Sequence, residues 1–287
     1  MKNLSWIIVF CLVGLNLFIW QAILIPNHPQ TPRFYFLDVG QGDSTLVEFP
    51  TGVQILTDAG LSKKVVAELE KVLGETDRYL DLALITHPQL DHFNGFNEIL
   101  DRYEIGAFIL NGREVDLPEW KNLVAKIKAK KIPIITLAAG DRIKNAESEV
   151  NIFSPDQNFI QSAELNDTSI VALVRTGKLK LLLTGDIGQN VEKYLVQKFG
   201  DKLEADILKV PHHGSKYSSS EEFLKTVGAK LAIIEVGDNR YGHPTPETTT
   251  RLFEANILKT FRTDKDSTIR AITKGNRLKI FAGFVDK

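Results

Sequence analysis

Four apolar runs in this chain end in the same way. "KLKLLLTGD" stops at Asp186, "ADILKVPHHGS" at His212 and His213, and "DLALITHPQLDH" at His87, Asp91 and His92, while "KLAIIEVGDNRYGHP" is followed by His243. All but one of the six histidines therefore lie just beyond a strand-like run. Short β-branched or leucine-rich runs bounded by turn residues read as buried strands. Between them the apolar spacing becomes helical: "KKVVAELEKVLGE" places Val65, Val66, Leu69, Val72 and Leu73 on one face, and "FNEILDRY", "EWKNLVAKIKAKK", "NVEKYLVQKFG" and "PETTTRLFEAN" behave alike. Ser220 and Thr245 stand where helix N-caps belong. The alternation specifies an α/β chain, with its two halves meeting near residue 150. In open α/β sheets the loops after the strands converge on ligands, so these polar ends predict one cluster of imidazoles and carboxylates at a sheet edge.

Composition bounds the rest. The chain has 287 residues, 43% of them hydrophobic, and a formal net charge of −1, so it can bury a large core and carries no global basic field for nucleic acid. A single cysteine, Cys11, excludes a disulfide framework and a thiolate metal cluster. From Leu4 to Ile25 there is no charged residue. That is the length a bilayer-spanning helix needs, about 20 residues. Trp6 and Trp20 sit where interfacial aromatics belong, and no small-x-small cleavage site precedes "PNHPQTPRF". The expected organisation is a transmembrane signal anchor over 1–25, a proline-rich linker over 26–32, and one extracytoplasmic domain over 33–287.

Neutral imidazole nitrogen and carboxylate oxygen suit zinc, manganese or iron. Two such ions about 3.5–4 Å apart can clamp a phosphoryl group and bring the pKa of a water towards neutrality. Asp186, with two oxygens, is a natural bridge between them. Each element alone has an ordinary reading: a histidine after a strand is commonly a hydrogen-bonded loop residue, and Gly-Asp a turn. Their shared placement is what points to a site.

"THPQLDHFNG" resembles the HxHxDH signature of the metallo-β-lactamase superfamily. "FLDVGQGDSTLVEFPTG", "LTDAG", "NDTSIVALV", "LLLTGD", "KVPHHGS", "GHPTPE" and "FRTDKDSTI" resemble, in order, the motifs of the C-terminal domain of ComEC-like DNA-uptake proteins, from about Arg33 to about Ile280. The resemblance implies an αββα four-layer sandwich, here preceded by one transmembrane helix, with a metal-dependent hydrolase site at one edge. His87 would bind the first of two divalent ions, zinc or manganese, and Asp91 and His92 the second. Asp186 would bridge them, and one of His212 and His213, with His212 preferred, would complete the second site. Asp58 matches an early aspartate that orients the site through hydrogen bonds. His243 lies where a proton donor to the departing oxygen, or a phosphate contact, is expected.

Two departures accompany the resemblance. Gln89 replaces the signature's second histidine, and "NDTS" stands where another histidine belongs, leaving Asn166 or Asp167 as oxygen donors or as parts of a turn. Both changes weaken or empty the first site and favour manganese. The implied activity is phosphodiester hydrolysis of DNA outside the membrane by a metal-activated water, with Ser215 and Lys216 binding the substrate and Lys209 and Arg240 adding charge. With one span and no channel domain, DNA uptake would need a separate channel protein. Two alternatives stay open: hydrolysis of a small ester (phosphorylcholine, lactone or β-lactam type) and a non-catalytic binding module.

Overall fold

The computed structural model describes residues 2–24, 29, 31–74, 76–274 and 277–283. A helix, α1 (Lys2–Leu24), comes first, and its described apolar side chains, Trp6, Phe10 and Phe18 among them, are exposed. Among the described residues no helix is long and apolar enough to cross a membrane. The side chains at 2–5, 19 and 21–24, residue 25 and most of the 26–32 linker lie outside the description, and the transmembrane helix expected over 1–25 falls partly among them.

Beyond α1, the described residues form two sheets. The first is eight-stranded, in the order β15 (Arg277–Ala282), β14 (Ile269–Lys274), β1 (Arg33–Phe36), β2 (Thr45–Glu48), β3 (Gln54–Thr57), β4 (Tyr79–Leu84), β5 (Glu104–Leu110), β6 (Ile134–Thr136). The second is seven-stranded: β13 (Lys259–Arg262), β12 (Leu231–Ile234), β11 (Ile207–Lys209), β10 (Leu179–Leu183), β9 (Val171–Thr176), β8 (Ser148–Ser154), β7 (Arg142–Asn145). Each sheet is half antiparallel meander and half parallel, the parallel pairs being β3–β4–β5–β6 and β10–β11–β12–β13. Parallel neighbours need a crossover, and these are helical. α2 (Lys64–Leu73), α3 (Leu90–Phe93) with α4 (Gly95–Ile99), and α5 (Pro118–Ala129) serve the first sheet. α6 (Gln189–Phe199), α7 (Glu221–Val227) and α8 (Pro246–Glu254) serve the second, and α9 (Thr263–Asp266) follows β13. The halves of the chain do not coincide with the sheets, because β14 returns to pair with β1.

Alternation along each strand feeds two cores. Phe34, Phe36, Val47 and Ile55 meet Ile152, Val174, Leu181, Leu183 and Ile233 between the sheets. Tyr35, Leu46, Leu56 and Phe108 pack instead beneath Val65, Leu69, Phe96 and Leu123 of the helices. Leu182, Leu208 and Ala232 likewise pack beneath Val191, Leu195, Phe223 and Leu224. The result is the four-layer αββα sandwich, and strands covered on both faces read as nearly continuous apolar runs. The helix expected over "FNEILDRY" stops at Ile99, whose carbonyl takes the amides of both Arg102 and Tyr103, so the chain turns into β5. Ser220 and Thr245 do cap α7 and α8, accepting from Phe223 N and Thr248 N.

Phe34 is fully buried between the sheets. Phe34→Ala should cost about 3–5 kcal/mol, read as a lowered urea midpoint. A loss below about 1 kcal/mol would contradict a close-packed core between the sheets.

Candidate metal centre

Strand ends from both sheets deliver the site. β3 runs into Asp58, β4 into Thr86 and His87, β10 into Asp186, β11 into His212 and His213, and β12 into Glu235, while α3 carries Asp91 and His92. Asp58 (φ 57°), His212 and His213 (both φ 52°) adopt left-handed backbone. That conformation costs a non-glycine residue about 1–2 kcal/mol, and such residues cluster at functional sites. Gly42, at φ 123°, lets the Asp43 loop lie against α3, since a Cβ there would stand 2.1 Å from the Asp91 carbonyl oxygen.

Three imidazoles are fixed through Nδ1. His92 Nδ1 donates to Asp58 Oδ2 at 2.9 Å. Asp58 is itself held by Thr86 N at 2.8 Å and Thr86 Oγ1 at 2.7 Å. His213 Nδ1 donates to the Glu235 carbonyl at 2.8 Å. His87 Nδ1 lies 3.0 Å from Thr86 Oγ1 and 3.2 Å from Ser169 Oγ. Both hydroxyl protons are already given, to Asp58 and to the Asn166 carbonyl, so His87 Nδ1 is the donor as well. In the neutral ring each Nε2 therefore carries the lone pair, and all three are buried without a hydrogen-bond partner.

These lone pairs converge on carboxylates. His92 Nε2 and His213 Nε2 stand 3.3 and 3.2 Å from Asp186 Oδ2, and His213 Nε2 stands 3.3 Å from Asp91 Oδ2. Acceptors facing acceptors need a proton or a cation between them. The ligand atoms of His87, His92 and Asp186, and those of Asp91, His92 and His213, each lie within 4.8 Å of one another. Nitrogen and oxygen donors without thiolate fit a divalent ion of the zinc, manganese or iron kind, and ring nitrogens pinned from behind are the usual support of such a site.

Charge points the same way. Burial opposes ionisation of Asp43, Asp91 and Asp186, yet neighbouring cationic or donor groups hold all three below the usual carboxylate range. One neighbour is Lys209, which is buried, paired with Asp43, 3.5 Å from Asp186 Oδ1, and donates to the Gly185 carbonyl at 3.0 Å. Burial also opposes the charged forms of His92 and His213, but Asp186 outweighs it, with Asp58 and Asp43 respectively, and lifts both well above the ordinary imidazole value. His87 is instead pushed down to about 3 by burial and by His92. Glu235 accepts from Ser44 N and Thr45 Oγ1, each at 3.1 Å, and burial with the nearby Asp43 charge pushes it up to about 8.

The structure rearranges several expectations. His213, not the preferred His212, reaches the carboxylates, because two successive left-handed residues aim the rings differently. His212 faces the Asn166 amide, 3.3 Å from Nε2, and the His243 ring, 5.5 Å between centroids. Asp167 accepts from Ser162 Oγ at 3.3 Å and is in none of the candidate metal groups, while Asn166 keeps its Oδ1 buried without a hydrogen-bond partner among the described residues. Gln89 is partly buried at the start of α3, and its backbone amide donates to the His87 carbonyl at 3.0 Å. Ser215 is buried and its Oγ accepts from Tyr217 N, which makes it a turn residue and not a substrate contact. Lys216 is exposed. Lys209, expected as a charge for phosphate, is consumed by the carboxylates beneath the site. Burial, then His212 and His213, push His243 down to about 4, so near neutral pH it can donate a hydrogen bond but holds no extra proton to give. Asp43, Glu235 and Ser169 were not singled out from sequence. For Glu235 and Lys209 a signal exists: a charge inside an apolar strand run, "AIIEVG" and "DILKV".

The sign for Glu235 is definite. A carboxyl raised from 4.5 to about 8 adds stability that is complete below 4.5 and is lost as pH rises through 8. Glu235→Gln removes that loss. Its melting temperature relative to the wild type should climb between pH 5 and pH 8 in thermal scans, and a flat difference would refute the protonated buried carboxyl.

The profile of the Metallo-beta-lactamase superfamily matches residues 37–237, a span that holds every member of this cluster. The chain is 28% identical over 292 aligned residues to ComE operon protein 3 of Bacillus subtilis (strain 168), covering 96% of this chain and 36% of that protein. It is 29% identical over 262 residues to competence protein ComA of Neisseria gonorrhoeae, covering 87% and 34%. The chain therefore spans about a third of the length of these two relatives. Exodeoxyribonuclease WalJ of Streptococcus pneumoniae is 24% identical over 197 residues, 64% of this chain and 72% of that one. Among solved structures, Igni18, a metallo hydrolase from Ignicoccus hospitalis, shares the fold at a TM-score of 0.55 and 16% identity, over 83% of this chain and 98% of that one. Sequence, fold and buried donor set agree that the chain belongs to the Metallo-beta-lactamase superfamily, and within it resembles ComEC-like competence proteins.

Proposed function

We propose that this chain is a metal-dependent phosphodiesterase that cleaves DNA, attached to a membrane by α1 with its catalytic domain on the extracytoplasmic side. The convergence of three unpartnered Nε2 atoms with Asp91 and Asp186 carries the hydrolase reading. Similarity to a protein named as an exodeoxyribonuclease directs it towards DNA. Asp91, His92 and His213 would hold one zinc or manganese ion, and His87 with Asp186 would hold a second, since His92 has only its Nε2 lone pair to give. Such ions, when bound, neutralise phosphoryl charge and lower the pKa of water towards neutrality.

The chain's own groups do the positioning. Asp58 and the Glu235 carbonyl keep the Nδ1 protons of His92 and His213, so both Nε2 atoms stay available as ligands. Asp91, whose side chain is 25% exposed, lies on the open side of the cluster and accepts a hydrogen bond from the attacking water. His243, uncharged near neutral pH, donates a hydrogen bond to the departing oxygen. Exposed Lys216 and Arg240 supply cationic charge at the rim for flanking phosphates. Similarity to a competence protein favours a role in DNA uptake. The net charge of −1 favours the second reading, a small ester substrate, which the same site could hydrolyse.

The test is cleavage of single- and double-stranded DNA by the full chain with manganese or zinc. Asp186→Ala should abolish cleavage, and Asp58→Asn should lower it about 10–100-fold through the lost support of His92. Full activity in Asp186→Ala would remove the metal account. Hydrolysis of a small phosphodiester but of no DNA would establish the second reading.

A further inference from the structure

A continuous row of rings leads out of the buried centre. His87 and His92 lie 4.2 Å apart between centroids, His92 and His213 5.5 Å, His213 and His212 6.2 Å, and His212 and His243 5.5 Å. The row ends on Tyr241, which stacks on His243 at 5.7 Å with planes 28° apart. Tyr241 is 76% exposed. Large aromatic rings normally bury their faces, so one held open at the mouth of a site is a contact surface waiting for a partner.

The loop that carries it is organised in advance. Asn239 Oδ1 accepts from the amides of Tyr241 and His243, at 3.1 and 3.0 Å. Asn239 Nδ2 donates to the carbonyls of Gly237 and His243, both at 2.9 Å. The same loop is tied to the histidine turn, since Thr245 N donates to the Gly214 carbonyl at 3.0 Å. A Cβ at Gly214, which has φ 85°, would come within 2.5 Å of Pro244 Cβ, so that contact requires glycine. Tyr241 is therefore positioned relative to the centre through two independent ties. Arg240 beside it and Lys216 on the neighbouring loop are exposed cations.

We propose that Tyr241, stacked on His243, receives an unpaired nucleobase next to the phosphodiester to be cut, which makes this chain selective for single-stranded DNA or frayed strand ends. The inference rests on the nuclease reading above and adds the strand preference. A flat aromatic face recognises bases whatever their sequence, because every base has a π-face. In a duplex those faces are covered by their neighbours, so only an unpaired base can use the platform. The adjacent cations take the backbone phosphates, while the neutral imidazole behind Tyr241 gives the stack a flat backing.

The experiment is fluorescence anisotropy with the full chain in EDTA, which separates binding from cleavage. The probes are labelled oligothymidylate and an abasic strand of equal length. The wild type should bind oligothymidylate about tenfold more tightly than the abasic strand, since stacking contributes ~1–3 kcal/mol per base. Tyr241→Ala should bind the two strands alike, and Tyr241→Phe should keep the preference. The metal-induced rise in melting temperature of Tyr241→Ala, compared with the wild type, reports whether the centre is intact. An undiminished preference in Tyr241→Ala, with metal-dependent DNA cleavage present, overturns the platform and leaves the nuclease standing. A wild type that neither binds nor cleaves any strand overturns the nuclease reading, and the platform falls with it.

Discussion

The buried ammonium of Lys209 is the interaction on which the centre depends. It pairs with Asp43, reaches Asp186 and donates to the carbonyl before Asp186, so it joins the β1–β2 loop of one sheet to the strand ends of the other. Without it, two carboxylates would be buried together with no fixed positive charge between them, and burying an unpaired charge is among the most expensive things a fold can do. Even so, it balances only part of the charge. Asp43, Asp91 and Asp186 are all held in the ionised form, against one ammonium. The elevated imidazoles of His92 and His213 express the remaining demand as an affinity for protons. A divalent ion meets the same demand while using lone pairs that protons would occupy, which ties metal binding and pH together.

The layered architecture makes that arrangement possible. Each sheet contributes its parallel half, whose strand ends point into one edge, and the helices that cross over keep water from the backs of those strands. Side chains leaving the strand ends are therefore anchored in a close-packed interior, and their polar atoms must be satisfied locally. That is why Asp58, Thr86 and Ser169 do little except hold imidazoles and one another. The left-handed turns at Asp58 and at His212–His213 are strained conformations that this dense bonding keeps in place.

From the buried centre to the surface, polarity changes in steps. His213 is fully enclosed, His212 and His243 are partly buried, and Tyr241 and Lys216 are exposed. A substrate approaching this edge would meet an aromatic face and cations before it met the carboxylates. On the proposed function, such an order suits a polymer whose charge is on its backbone and whose bases are flat, with local cations standing in for an overall basic excess.

Much of this was legible in the residues alone. The apolar runs, their breaks at histidine and aspartate, and the helical spacing between them define strands, crossovers and a polar edge, because periodicity and strand termination are local properties of the sequence. Local signals also placed the N-caps at Ser220 and Thr245. The choice of His213 over His212 was not legible: it depends on two left-handed φ angles and on a carbonyl supplied by Glu235 at the end of the next strand. The confinement of Lys209 beneath the site and the opening of Tyr241 above it were equally hidden, since each depends on what a distant loop packs against. Sequence by itself determined which chemical groups arrive at the edge. Tertiary structure alone decided which way each one points, because side-chain direction at irregular backbone is set by long-range hydrogen bonds and not by spacing along the chain.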